Sequence, residues 1–304
     1  MTWAEGQALS THLERPTMSI VVTGATGHLG RHTVESLLAR GVPADHIMAG
    51  GRDLDQIKDL ADRGVTVVRI DNQPRLNAMT RAMMADLART WDELERGRCR
   101  CIVLTGAGGR AFSAGADISG DLSASTDTAA MVSRALQKTR VYTKPIVAAV
   151  NGDCVGGGLE LLLSTDIRIA APHARFGLPE VKWSIYPFGG ATIKLVQQIG
   201  YVHAMDLLLT ARLSDATEAA RLGLVNRVVE ADQVLTVALE TAERIAANSP
   251  SAVQAVKQQI SATIAEHARA REALEQELGD RVRGGTDFHE GVKAFREKRQ
   301  PKYE

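Results

Sequence analysis

An uninterrupted apolar segment at residues 145–150 leads into a glycine-rich turn, and this junction restricts the fold of the chain more than any other feature. The segment has the sequence PIVAAV and is followed by NGDCV, three consecutive glycines and an apolar helix. A strand without a polar face is expected to be covered on both sides, as in an α/β protein. The first N–H groups of a helix have no partner within it, so the turn at Gly156, Gly157 and Gly158 presents donors that can stabilise negative charge on a ligand oxygen.

The surrounding sequence predicts further strands and amphipathic helices. Residues 65–70 and 101–105 are short apolar runs typical of strands. Between them, apolar side chains recur at intervals of three and four residues, which predicts a helix with one buried face: Met79, Met83, Leu87, Trp91 and Leu94. Beyond residue 214 the pattern is mostly helical, with one apolar stripe: Leu235, Leu239, Ala242 and Ile245.

The first 70 residues have a different character. Strands are predicted at residues 19–23, 46–49 and 65–70, with helices at 33–40 and 54–62 between them. The turn after the first strand, TGATGHLG, has glycines where a dinucleotide pyrophosphate needs close approach of the backbone: Gly24, Gly27 and Gly30. This order resembles the NAD(P)-binding segment of short-chain dehydrogenase-like and NmrA-like proteins. Arg52 lies where NAD-preferring members have an acidic ribose ligand, which favours NADP(H).

A complete dinucleotide-binding sheet needs two such halves, and the chain has only one before its pattern changes after Ile70. Tyr142 and Lys144 also lie too close together for a Tyr-x-x-x-Lys pair. We therefore predict a partial Rossmann β-α-β-α-β unit over residues 18–64 that is a non-catalytic appendage, with NADP binding as the alternative. Residues 1–17 are predicted to be a disordered extension. Residues 65–70 are predicted to serve as a strand of both the N-terminal unit and the segment that follows.

Composition narrows the class of partner. The 304 residues carry 36 Lys and Arg against 36 Asp and Glu, and this zero net charge argues against a nucleic-acid or membrane-surface role. No apolar run approaches the roughly 20 residues of a bilayer span.

The start of the chain lacks the basic and apolar regions of a secretory signal, which predicts a cytoplasmic protein. Cys99, Cys101 and Cys154 have no histidine cluster beside them, so we expect packed thiols and no metal site.

Two glutamates stand next to glycine-rich segments. Glu160 follows Gly157 by three residues, so one helical face presents an N–H donor and a carboxylate. Glu180 follows Pro179, which excludes it from the middle of a helix. Taken singly, Glu160 is explained as a first-turn glutamate that the helix dipole favours, and Glu180 as a loop carboxylate. The sequence blocks that surround them weaken this explanation.

Four blocks occur in order: AFSAGADI, NGDCVGGGLELLLSTDIRIA, ARFGLPEVKWSIYPFGGAT and LTARLSDATEAARLGLVNRVV. They resemble the crotonase (enoyl-CoA hydratase/isomerase) superfamily, and FHEGVKAFREKR resembles its C-terminal helix. The resemblance extends over residues 65–304. It implies a spiral of β-β-α turns over residues 65–231 and a C-terminal helical region over residues 232–304, through which subunits pack into homotrimers or homohexamers.

The resemblance also implies a site for an acyl-CoA thioester. The backbone N–H groups of Ala116 and Gly157 would bind the thioester oxygen. Glu160 would activate the water that attacks Cβ, and Glu180 would supply the proton to Cα. Phe188 stands where well-known hydratases have a glycine, so it is expected to reshape the acyl pocket. Substrate contacts are implied for Arg75, Leu76, Ala114, Asp117, Ile118, Phe188, Phe295 and Lys298.

The resulting hypothesis is hydration of a trans-2-enoyl-CoA, or the reverse dehydration, without a cofactor beyond the coenzyme A of the substrate. Another acyl-CoA reaction of the superfamily, catalysed by an isomerase, a hydrolase or an aryl-acyl-CoA lyase, is the first alternative. An NADP-dependent reductase or nucleotide-sensing module is the second. A non-catalytic scaffold is disfavoured, because two carboxylates beside a glycine-rich helix start have no packing purpose.

Overall fold

Strands and helices alternate along most of the chain. The computed structural model describes residues 20–22, 47–49, 64–117 and 126–304. Its strands are β1 (Ile20–Val22), β2 (Ile47–Ala49), β3 (Val65–Ile70), β4 (Cys101–Gly106), β5 (Ala111–Ser113), β6 (Ile146–Val150), β7 (Asp153–Val155), β8 (Ile167–Ala170), β9 (Arg175–Gly177), β10 (Ser214–Asp215) and β11 (Arg227–Val228).

From residue 234 onward the described elements are all helices, and Pro250–Arg283 is the longest of those described. The described helices are α1 (Arg81–Arg96), α2 (Thr126–Ala135), α3 (Gly157–Leu162), α4 (Ala191–Ile199), α5 (Tyr201–Thr210), α6 (Ala216–Arg221), α7 (Val234–Ala246), α8 (Pro250–Arg283) and α9 (Thr286–Arg296), with 3-10 helices at Gln73–Arg75 and Pro179–Trp183. Among these helices, none combines the length and the apolar character that a bilayer span requires.

Two sheets share the strands from β3 onward. One has the order β11-β8-β6-β4-β3 and the other the order β10-β9-β7-β5, and neighbours run parallel except β9 and β10. Strands β4 to β9 belong alternately to the two sheets, so the chain advances in repeated β-β-α turns. Strand β6 is buried at every position, which agrees with its sequence of apolar residues on both faces. The prediction of an α/β fold of the crotonase type is confirmed.

The N-terminal predictions fall mostly outside the described residues. Strands β1 and β2 pair in parallel, with Ile20 opposite Ile47. Residues 1–17, the two predicted helices, the three glycines of the turn and Arg52 all lie outside the described part of the chain. Strand β3 pairs with β4 over its whole length at the edge of the five-stranded sheet. The prediction that residues 65–70 also extend the N-terminal sheet is therefore wrong for the strands that the structure describes.

Helices α1 and α7 correct two details of the predicted core. Helix α1 begins only at Arg81, because the side chain of Thr80 caps it by accepting from the Met83 N–H. Met79 precedes the helix and forms a β-bridge with Ala116 instead.

On α7 the buried line runs along Val234, Ala238, Thr241, Ala242 and Ala246 and shares only Ala242 with the predicted stripe. Leu235, Leu239 and Ile245 are only partly buried at its edges. The small alanines allow α7 to pack closely on β4 and β6.

Candidate active site

The register of three strands brings distant segments to one edge of the four-stranded sheet. Cys154 lies opposite Phe176 in the pairing of β7 and β9, and also pairs with Ser113 of β5. The segments that leave these strands therefore lie side by side: residues 114–117, the start of α3, and the 3-10 helix Pro179–Trp183. Gly156 N–H donates to Gly177 O over 3.0 Å, which fixes the start of α3 against the end of β9.

Two backbone N–H groups converge at this edge. Met79 N–H donates to Gly115 O and Asp117 N–H donates to Met79 O, so the Ala116 N–H points to the opposite side of the segment. Gly157 is the first residue of α3, and its N–H has no partner within the helix. The two residues are close enough that a Cβ on Gly157 would lie 3.4 Å from Ala116 N. This arrangement can bind one oxygen atom that carries negative charge.

Gly115 makes the convergence possible. Its φ of +92° is in the left-handed region, which side chains of L-residues rarely adopt. A Cβ at this position would lie only 2.8 Å from Gly157 N. The position therefore requires glycine both for its backbone conformation and for the close approach of the two segments.

Glu160 is a buried carboxylate with two backbone donors. Its Oε1 accepts hydrogen bonds from Gly189 N–H at 2.7 Å and from Ala191 N–H at 3.3 Å. A Cβ on Gly189 would lie 2.5 Å from Glu160 Oε2, so the glycine leaves the space that the carboxylate occupies. Burial raises the pKa of Glu160, and the two N–H donors oppose this rise because they stabilise the ionised form.

Glu180 lies across the start of α3 from the N–H groups of Ala116 and Gly157. A Cβ on Gly156 would be 3.2 Å from Glu180 Oε1. Its Oε2 is buried and accepts no hydrogen bond within the described part of the chain. Burial, and next the negative charge of Glu160, raise the pKa of Glu180. Because the carboxylates repel each other in a poorly solvated site, they retain a proton at higher pH than isolated glutamates do.

Both carboxylates line a cavity of about 1150 Å³. Helices α2 and α8 both contribute to its wall, and Trp183 contributes a ring that packs edge-on against Phe295 at 5.2 Å between centroids. The Phe188 ring packs on α8, where a Cβ on Gly279 would overlap it, and the Arg283 guanidinium lies 5.1 Å from the ring centroid. The cavity thus has a polar end at the two glutamates and an aromatic boundary at Phe188.

Most of the sequence-predicted site residues meet at this cavity. Those that line it are Ala114, Ala116, Asp117, Gly157, Glu160, Glu180, Phe188 and Phe295. Arg75, Leu76 and Lys298 do not line it, although Leu76 O accepts from Ala114 N–H and so lies next to the wall. Ile118 is outside the described residues.

Sequence reasoning missed a buried ion pair in the cavity wall. It joins Lys138, just beyond α2, to Glu275 of α8. Neither residue belongs to a recognisable motif, and the two are far apart in the chain. Lys138 lies in the polar stretch LQKTR and Glu275 in EALEQEL, so the local sequence does not indicate that either residue is buried.

The enoyl-CoA hydratase/isomerase family model matches residues 61–304. The chain belongs to this family. Among its relatives, enoyl-CoA hydratase EchA19 of Mycobacterium tuberculosis is 41% identical over 251 residues, which are 80% of this chain and 94% of the relative. The family match begins close to residue 65, where the resemblance in the sequence begins.

Solved structures of the enoyl-CoA hydratase/isomerase family have the same fold. An enoyl-CoA hydratase/isomerase from Pseudoalteromonas atlantica T6c superimposes with a TM-score of 0.74 at 32% identity, covering 80% of this chain and 97% of its own. A carnitinyl-CoA hydratase from Mycobacterium avium superimposes with a TM-score of 0.73 at 33% identity, covering 79% of this chain and 95% of its own.

Proposed function

We propose that the protein adds water to the double bond of a trans-2-enoyl-CoA, or removes it in the reverse reaction, with Glu160 and Glu180 as the acid–base pair. The observation that carries the proposal is the placement of two buried carboxylates beside two convergent backbone N–H groups in one cavity. Family membership supports the same reaction class, and the relative EchA19 is named an enoyl-CoA hydratase.

The two N–H groups of Ala116 and Gly157 would hold the thioester oxygen. When water attacks Cβ, negative charge moves onto this oxygen, and donors fixed in advance stabilise the resulting enolate more strongly than they stabilise the neutral thioester. Binding at this point also fixes the positions of Cα and Cβ, because both lie within two bonds of the thioester carbon. The carboxylates can then act on these two carbons from the cavity wall.

The surroundings of the two glutamates favour different roles. Glu160 accepts two N–H groups, which stabilise its ionised form and suit it to take a proton from the attacking water. Glu180 Oε2 is buried without a donor among the residues that the structure describes, which favours its protonated form and suits it to deliver a proton to Cα. In the reverse reaction the roles exchange.

The test is the loss of enoyl-thioester absorbance when the purified full-length chain is mixed with crotonyl-CoA. Rapid loss with formation of 3-hydroxybutyryl-CoA is the expected result. Binding of crotonyl-CoA with no loss of absorbance would contradict hydration and favour another acyl-CoA reaction, such as isomerisation or thioester hydrolysis.

The pH dependence of kcat/KM for hydration is expected to be bell-shaped, with its acidic limb above the usual range of glutamate. Activity falls toward low pH as Glu160 gains a proton, and it falls toward high pH as Glu180 loses its own. Both limbs are displaced upward because burial raises the pKa of each carboxyl. A steady-state series with crotonyl-CoA from pH 5 to pH 10 measures both limbs. A single limb at the ordinary glutamate pKa would contradict the paired roles.

Phe188→Ala is expected to shift substrate preference toward longer acyl chains. Removing the ring opens the cavity at its aromatic boundary, and each additional methylene that becomes buried raises relative kcat/KM about fourfold. Gly279→Ala should have the opposite effect, because the new methyl group overlaps the Phe188 ring and forces it to move. The measurement is the ratio of kcat/KM for 2-decenoyl-CoA to that for crotonyl-CoA. An unchanged ratio in both variants would show that Phe188 does not limit the acyl chain.

A further inference from the structure

The cavity wall contains a second pair of charges that the hydration mechanism does not use. Lys138 and Glu275 form an ion pair and are only 6% and 3% exposed. Burying two charges is costly, and removing water strengthens their effect on any third charge nearby. Glu275 belongs to α8, whereas Lys138 follows α2. The pair therefore joins α8 to the segment that follows α2.

Lys138 packs directly on the turn that holds Glu160. A Cβ on Gly190 would lie 3.3 Å from Lys138 Cγ, and Gly190 is flanked by the two residues whose N–H groups bind Glu160 Oε1. The segment before Lys138 is anchored as well, since Lys194 Nζ donates to Gln137 O over 2.8 Å. The Lys138 side chain thus lies beside the turn whose N–H groups bind the Glu160 carboxylate.

Several other ionisable groups face Glu160 from neighbouring elements. Glu180 approaches from the 3-10 helix, Lys194 from α4 and Tyr186 from the loop between them. Burial lowers the pKa of Lys194 to about 7 and raises that of Tyr186. For Glu160 itself, burial is the main cause of the raised pKa; the charge of Glu275 raises it further and that of Lys138 lowers it. Lys138 and Glu275 thus act on Glu160 in opposite directions.

We propose that Lys138 and Glu275 are a positioning pair that couples the docking of α8 to the charge state of Glu160. With the ion pair intact, the two charges act on Glu160 in opposite directions, while burial raises its pKa and its backbone donors lower it. When α8 is displaced, Glu275 leaves and the cation of Lys138 acts on Glu160 alone. The carboxylate then binds its proton more weakly, and the balance between Glu160 and Glu180 is lost.

The test is a pH titration of the Glu160 carboxyl carbon by carbon-13 NMR, assigned by the signal that Glu160→Gln removes. Glu275→Gln is expected to lower the titration midpoint by about one pH unit, since it leaves Lys138 uncompensated. Lys138→Met is expected to raise it by about the same amount. The double variant should return to within a few tenths of a pH unit of the wild type. Glu266→Gln, an exposed position on α8, is the matched control and should cause no shift.

Opposite shifts distinguish the proposal from a merely structural role. If both single variants moved the midpoint in the same direction, or neither moved it, the proposal would be overturned. Lys138→Gln replaces Lys138→Met if the methionine variant does not fold, because it also removes the cation.

The kinetic part of the inference rests on the proposed function, but the titration does not. Wild-type protein that fails to hydrate crotonyl-CoA while the variants show opposite shifts would refute only the function. Hydration without opposite shifts would refute only the positioning pair. If the protein hydrates crotonyl-CoA and the two variants show opposite shifts, the acidic limb of the pH profile of kcat/KM moves in the same direction as the NMR midpoint in each variant.

Discussion

Glu160→Gln and Glu180→Gln are each expected to lower kcat for hydration of crotonyl-CoA by about 10²–10⁴-fold. An amide has nearly the shape of a carboxyl group but neither accepts nor delivers a proton at the required step. The amide oxygen that Glu160→Gln introduces can still accept from the N–H groups of Gly189 and Ala191. The loss of turnover therefore reports on proton transfer and not on a displaced side chain. The measurement is steady-state kinetics of each variant beside the wild type.

The same two variants are expected to remain folded and to tolerate high pH better than the wild type. A carboxyl whose pKa is raised in the folded state binds more protons there than in the unfolded state, so the free energy of unfolding falls as pH rises from the unfolded pKa toward the folded one. Each glutamine removes one such group. Urea unfolding at pH 5 and pH 8 should therefore show a smaller loss of stability in the variants.

Glu240→Gln is the control for both measurements, because Glu240 is exposed on α7. It should leave kcat and the pH dependence of unfolding unchanged. Near wild-type turnover in either active-site variant would contradict the assigned acid–base roles. Urea unfolding of each variant shows whether a loss of kcat comes from proton transfer or from a loss of folded protein.

Gly115→Ala is expected to lower kcat/KM by about 10²–10³-fold, comparable to the loss of one oxyanion donor. The backbone donors cannot be removed by substitution, but a Cβ at position 115 would press on Gly157 N and separate it from the Ala116 N–H. The positive φ adds backbone strain, which lowers the free energy of unfolding by about 1 kcal/mol. Kinetics and urea unfolding measure the two effects separately.

Gly109→Ala is the matched control for this substitution. Within the described part of the chain, a Cβ at Gly109 meets no atom within 4 Å, and the φ of Gly109 is outside the left-handed region. The control should change neither kcat/KM nor stability appreciably. If Gly115→Ala kept the activity of the control, the close approach of Ala116 and Gly157 would not matter for the reaction.

The sequence predicted those features that depend on short stretches of chain. The apolar run at residues 145–150 indicated a strand covered on both sides, and β6 is buried throughout. The blocks around Glu160 and Glu180 indicated that both belong to one site, and both line the same cavity. These patterns are informative because both depend on residues that are adjacent in sequence. A strand buried on both faces requires consecutive apolar residues, and the tight turn requires glycines.

Features that depend on how distant elements meet were not predictable in this way. The buried line on α7 shares only Ala242 with the predicted stripe, because alanines rather than leucines allow the closest approach to the sheet. The pairing of Lys138 with Glu275 depends on the path of α8 across the cavity, which no local pattern specifies. The capping of α1 by Thr80, which excludes Met79 from the helix, is decided by one hydrogen bond.

The contribution of α8 and α9 to the cavity wall has a consequence for synthesis of the chain. Both glutamates leave the ribosome well before Glu275 and Phe295, which line the same cavity. Until those last helices emerge, the cavity that Glu160 and Glu180 line lacks the part of its wall that α8 and α9 form. Translation therefore delivers the two glutamates first and completes the wall of their cavity last.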